Sequence, residues 1–132
     1  MTVFADTSAL FAVLDHDDLN HGRAQKVWRD LLTSDRRLIT TNYVLIEMSA
    51  LVQARLGLPA LRTFHEDVAP LLEVDWITEP CHRIAVEMVL TADRKKLSVV
   101  DCTSFQAMRN LGVRTAFTFD RHFREQSFDT LP

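Results

Sequence analysis

The chain has 132 residues, 47% of them hydrophobic and 25% charged, with a formal net charge of −3. That length supports one domain with a real core and not two, and the composition excludes a disordered or fibrous chain. An acidic total argues against a protein that grips nucleic acid through overall charge, although it leaves room for a local basic patch.

In chain order, Val3-Phe4-Ala5 is the short apolar run of a central parallel strand, and it stops on Asp6. A carboxylate at a strand's carboxyl end in an open α/β sheet stands on the edge where ligands bind. Thr7 and Ser8 are the expected N-caps of a helix over Ala9–Leu14. Taken alone, Asp6 is more commonly a cap than a catalytic group. Ala9–Leu14 is also the longest apolar run. It is far below the roughly 18 residues of a membrane helix, and Asp6 and Asp15 bracket it too closely for a signal-peptide core. A soluble, cytoplasmic protein is expected, with no membrane contact.

A second helix is expected over His21–Leu32, with Ala24, Val27, Trp28, Leu31 and Leu32 inward and Arg23, Lys26, Arg29 and Asp30 wet. Leu38–Thr41 reads as a strand, Asn42 as an N-cap, and Tyr43–Leu56 as a helix ended by Gly57. Leu58-Pro59 restarts a helix whose core side is Leu61, Phe64, Val68, Leu71 and Leu72, and Glu73–Ile77 alternates like a strand. Glu79-Pro80 opens a helix with the stripe Ile84, Ala85, Met88, Val89 and Ala92, closed by Asp93-Arg94-Lys95-Lys96 in an order the helix dipole tolerates. Ser98-Val99-Val100-Asp101 is a capping-box pattern for a helix running to Gly112, and Val113–Phe119 reads as a buried final strand ending on Asp120, with a short tail after it. This alternation predicts an α/β fold, a three-layer α/β/α sandwich around a mostly parallel sheet, as one domain over residues 1–132. Cys81 and Cys102 lack CxxC spacing and read as buried reduced thiols, and none of the five histidines recurs at i,i+3 or i,i+4, so no zinc site is expected.

The informative pattern is where four acids fall. Asp6 and Asp120 end strands, Glu47 is in the second turn of a helix after a strand, and Asp101 is in the first turn of another. Strand ends and the starts of the helices that follow them share one edge of a parallel sheet, so all four carboxylates can converge there. Such a cluster repels itself unless a cation offsets it, and an all-oxygen set favours Mg²⁺ or Mn²⁺. Each acid has an ordinary explanation: Asp101 as a cap, Glu47 as a solvated helix residue, Asp120 as a turn former. Glu47, however, sits among Val44, Leu45, Ile46, Met48, Ala50 and Leu51, an unusually apolar setting.

Asp6-Thr7-Ser8, Tyr43-Val44-Leu45-Ile46-Glu47-Met48, Leu97-Ser98-Val99-Val100-Asp101 and Thr118-Phe119-Asp120-Arg121-His122-Phe123 resemble, in order, the four signatures of PIN-domain ribonucleases, and most closely the VapC-type toxins of toxin–antitoxin pairs. The resemblance implies a metal-dependent endoribonuclease, cutting RNA with one or two Mg²⁺ or Mn²⁺ ions, inhibited by a cognate antitoxin protein, and commonly a homodimer. It implies Asp6, Glu47, Asp101 and Asp120 as the catalytic, metal-binding set, with Ser8 and Thr118 as supporting hydroxyls. Asp6 and Asp101 are the expected direct ligands. Glu47 and Asp120 are expected to bind directly or through water, one of them also acting as general base.

Arg94, Lys95, Lys96, Arg121 and Arg124 are the basic residues nearest in sequence to that edge and the expected RNA contacts. A dehalogenase-like phosphatase needs a second acid where Ser8 stands, and a receiver domain needs an early acidic pair. The remaining alternative is a PIN-like domain without catalysis, working as a protein-binding module.

Overall fold

The computed structural model describes all residues, Met1–Pro132. Its strands are β1 (Thr2–Ala5), β2 (Arg37–Thr41), β3 (Glu73–Asp75), β4 (Thr115–Phe117) and β5 (Asp129–Leu131). They form one sheet in the order β3-β2-β1-β4-β5, and every neighbouring pair is parallel. β1 is central and its Val3, Phe4 and Ala5 are buried on both faces, which is why that stretch is a continuous apolar run instead of an alternation. The chain winds outward from β1 through β2 to β3, then crosses to β4 and β5 on the other side. The strand order therefore reverses between β1 and β4, and the crevice beyond their carboxyl ends is the topological switch point.

The helices are α1 (Thr7–Leu14), α2 (His21–Thr33), α3 (Asn42–Leu56), α4 (Leu58–Thr63), α5 (Glu79–Ala92), α6 (Val99–Leu111) and α7 (His122–Glu125). They flank the sheet and close one core of 27 buried residues, with Phe4, Phe105, Phe117 and Phe123 among its largest members. The expected α/β architecture is the observed one. No helix is long and apolar enough to cross a membrane.

Several local expectations are corrected. Asp6, not Thr7 or Ser8, is the N-cap of α1, and Thr41, not Asn42, caps α3 by accepting from Val44 N at 3.2 Å. Asn42 instead accepts from Ile77 N at 2.7 Å, tying the chain beyond β3 to the start of α3. β3 and β4 are shorter than the expected Glu73–Ile77 and Val113–Phe119. The helix begun at Leu58 breaks into a π-helical turn over Phe64–Val68 and a 3₁₀ turn over Ala69–Leu71, leaving Leu71 exposed. In α5 only Cys81 and Ala85 are buried, Ile84 is exposed, and no basic residue stands in the last turn: the helix stops on Asp93 in the left-handed region, so the cations follow its end. The tail after Asp120 forms α7 and a fifth strand, β5, so β4 is not the last.

Candidate active site

Asp6 leaves the sheet at its centre. Its N–H still donates to Phe117 O at 3.0 Å, while its carbonyl already accepts from Leu10 N at 3.1 Å, so one residue ends β1 and starts α1. Its side chain is 3% exposed. Oδ2 accepts from Ser8 Oγ at 2.8 Å, from Thr118 Oγ1 at 2.9 Å and, more weakly, from Ser8 N at 3.4 Å. Each hydroxyl, having given its one proton to Asp6, accepts a backbone N–H from the segment after β4: Phe119 N to Ser8 Oγ at 2.9 Å and Asp120 N to Thr118 Oγ1 at 3.0 Å. Ser8 and Thr118 thus join the ends of β1 and β4 and leave Asp6 Oδ1 without a protein partner.

Asp101 is set by the capping box expected from sequence. Asp101 N donates to Ser98 Oγ at 3.0 Å and Ser98 N donates back to Asp101 Oδ2 at 3.1 Å. Asp120 is set by a two-residue turn in which His122 N donates to its Oδ1 at 2.9 Å. The ligand atoms of Asp101, Asp120 and His122 lie within 4.8 Å of one another. Electrostatics extends the cluster. Burial, reinforced by the charges of Asp101 and Asp120, pushes Asp6 up to about 7, against the pull of Ser8 and Thr118. Burial likewise raises Asp101, Asp120 and Glu47 raise it further, and the bonds from Ser98 oppose them. Asp6 and Glu47 thus stand outside the 4.8 Å group but near enough for charge to act, Asp101 and Asp120 on Asp6 and Glu47 on Asp101.

Their settings differ from expectation at Glu47. Val44 and Met48 are buried, but Ile46 is 70% exposed and Glu47 itself is half-buried, so its apolar sequence neighbours do not enclose it. Among the basic residues, Lys96 and Arg121 line a 470 Å³ cleft with Phe119, Asp120 and His122. Arg121 and Arg124 line a second, 180 Å³ pocket beside Asp120. Arg94 is instead paired with Glu125 at 2.8 Å, and with Lys95 it lines a separate hollow alongside Leu90 and Asp93.

Two further residues, neither of them among the expected site residues, stand beside Asp120 and Phe119. His122 is 6% exposed, and its Nδ1 lies 3.0 Å from Asp120 Oδ1, off the line a hydrogen bond needs. Its signal was its place two residues after Asp120. Arg23, expected to be merely solvated on α2, lies over the Phe119 ring at 5.3 Å and lines the smaller pocket. No sequence signal linked α2 to Phe119.

A family model, the PIN domain, matches residues 3–129. The chain belongs to the PIN domain family. The 23S rRNA-specific endonuclease VapC20 of Mycobacterium tuberculosis is 30% identical over 127 residues, 96% of this chain and 95% of that protein. The crystal structure of that sarcin-ricin loop cleaving toxin superposes with a TM-score of 0.85 at 29% identity, covering 96% of this chain and 95% of the other. FitAcB of Neisseria gonorrhoeae shares the fold, with a TM-score of 0.70 at 15% identity over 100% of this chain and 97% of that one. The VapC-type resemblance seen in the four motifs is thus matched along nearly the whole PIN domain.

The acidic rim suits a divalent cation. Asp6, raised chiefly by burial and further by two neighbouring acids, keeps one oxygen without a protein partner near the grouped Asp101, Asp120 and His122 ligand atoms, an arrangement that a positive charge would offset.

Proposed function

We propose that this PIN domain, over residues 1–132 as a single unit, is a divalent-cation-dependent endoribonuclease and the toxin of a VapBC-type toxin–antitoxin pair. The observation that carries the reading is the gathering of Asp101, Asp120 and His122, with ligand atoms within 4.8 Å of one another, at the topological switch point, where the charges of both acids also act on the buried Asp6 at the end of β1. Asp6 and Asp101 would hold Mg²⁺ or Mn²⁺ directly, and Asp120 and Glu47 directly or through water. The bound ion supplies Lewis-acid stabilisation of phosphodiester charge and a more acidic water. The chain's own residues do the rest. Ser8 and Thr118 fix the Asp6 carboxylate, the Ser98 box fixes Asp101, and His122 packs against Asp120 and keeps its orientation. Glu47 or Asp120 takes the proton from the attacking water as general base. Lys96, Arg121 and Arg124 contact RNA phosphates, with Arg94 and Lys95 more distant.

The likeness to VapC20 supports RNA as the substrate and ribosomal RNA as the first to test. Its description as a toxin also supports a cognate antitoxin, and the resemblance of the four motifs to VapC-type toxins is the ground for reading the protein as a homodimer acting in the cytoplasm. The test is to incubate the purified protein with total RNA in Mg²⁺, in Mn²⁺ and in chelator, and to map fragment ends. Cleavage that needs the cation and is abolished in Asp6→Asn supports the reading. Cation-independent cleavage, or none, overturns it in favour of a binding module.

A further inference from the structure

The 180 Å³ pocket on the β5 side of Asp120 brings together residues from four parts of the chain: Arg23 from α2, Thr118 and Phe119 after β4, Arg121 and Arg124 around α7, and Thr130 from β5. Phe119 is its one large apolar wall, Pro132 also lines it, and three guanidiniums face a single side-chain carboxylate, Asp120. Two of the three are already held in place. Arg23 donates to Asn20 Oδ1 at 2.7 Å while lying over Phe119, and Arg124 Nε donates to Thr130 Oγ1 at 2.8 Å. Neither forms an ion pair, and Arg121 reaches Glu125 only at 3.8 Å. Side chains fixed by neutral partners, with their charge unspent, form a prearranged anion site, because little rotamer freedom remains to be lost on binding.

Size selects the anion. At about 30 Å³ per water the pocket holds roughly six waters, and it is below the roughly 300 Å³ where small-molecule pockets begin, so it admits a group and not a metabolite. Its position selects further. It shares Asp120, Phe119 and Arg121 with the cleft at the acidic rim, so a strand lying on that rim passes its mouth.

We propose that this pocket is a phosphate subsite, in which Arg23, Arg121 and Arg124 take a backbone phosphate of the RNA strand next to the one that is cut. This rests on the ribonuclease reading given above. Arg23 is its distinguishing member, since it comes from an element with no other part in the site and is braced by Phe119. The subsite sets the register of the strand and reads no base.

The test is equilibrium binding of the full chain to a short fluorescein-labelled single-stranded RNA of mixed sequence, in chelator so that nothing is cut, across roughly 50 to 200 mM salt. Arg23→Gln and Arg124→Gln are each expected to weaken binding and to flatten the plot of log K against log salt by about 0.7, the slope of one lost contact to a single strand. Arg23→Lys should restore the slope, because it keeps the charge, but not the full affinity, because it loses the planar stack on Phe119. Arg62→Gln, on the α4 surface, should leave the slope unchanged. Cleavage of total RNA by the unmodified protein in Mn²⁺ is followed in parallel. If cleavage occurs and the Arg23 and Arg124 variants keep the parent slope, the subsite is refuted and the ribonuclease reading stands. If nothing is cut, that reading fails, while the slopes still decide whether the pocket takes a phosphate.

Discussion

Asp6 is the residue whose ionisation this fold resists most, because it is buried beside two further acids and has only two hydroxyls and an amide to offset them. Its carboxyl is pushed up to about 7, against 3.8 in an unfolded chain. The folded state therefore holds the proton more tightly. The stability this contributes is complete below about pH 4 and is lost as pH rises through about 7. Asp6→Asn removes the titration but keeps a good N-cap for α1. In chelator, the variant should be more stable than the parent at pH 8, with a ceiling of about 4 kcal/mol at 1.36 kcal/mol per unit, and the two should converge towards pH 4. Urea denaturation at both pH values measures this, and a variant no more stable at pH 8 contradicts it. Asp101→Asn separates capping from chemistry at a second acid. Asn still accepts from Ser98 N, so stability should change by no more than about 1 kcal/mol, whereas cation-dependent cleavage should fall about a hundredfold or more. Unchanged cleavage would leave Asp101 as a cap alone.

At the level of elements, two helix ends show what a sequence reveals and what it hides. α6 ends in a Schellman turn: Val113 N donates to Met108 O at 2.8 Å and Gly112 N to Arg109 O at 3.3 Å, with Gly112 at φ 69°. α7 ends in the same turn, with Phe128 N donating to Phe123 O at 3.0 Å, Ser127 N to Arg124 O at 2.9 Å, and the Phe123 and Phe128 rings 6.4 Å apart. Here, however, the left-handed position at φ 68° is Ser127. Glycine marked the first turn in the sequence and serine concealed the second, so α7 and the three-residue β5 behind it read as a tail. The four acids were legible because each belongs to a local pattern at a strand end or helix start. Arg23 was not, since it reaches the site only through the packing of α2 beside Phe119, which no periodicity encodes. Ser127→Gly should relieve the left-handed strain and raise stability by up to about 1 kcal/mol, read as a higher urea midpoint at unchanged slope. A lower midpoint would show that the serine makes a contribution the turn geometry does not contain.

Across the whole molecule, the parallel sheet fixes where charge accumulates. Asp6 at the end of β1, Asp120 beyond β4, Asp101 in the first turn of α6 and Glu47 in the second turn of α3 are carried towards one edge of the sheet by topology, whatever the net charge of −3. A fold that gathers acids in this way is least stable without a counter-charge, so cation binding should appear as stability. An ion at a hundred times its dissociation constant adds about 2.7 kcal/mol, and titrating Mn²⁺ into the chelated protein at pH 8 should raise the melting temperature accordingly. Protons compete for the same carboxylate. Below about pH 7 Asp6 is increasingly protonated in the cation-free fold, so the ion must displace a proton to bind. Its apparent affinity should then fall about tenfold per pH unit, and near pH 6 the increment at fixed Mn²⁺ should be smaller by about 1.4 kcal/mol. Asp6→Asn should show a small increment with no such pH dependence. An equal, pH-independent gain in both proteins would mean that the ion stabilises some other part of the surface, and that the acids at the switch point do not act as one site.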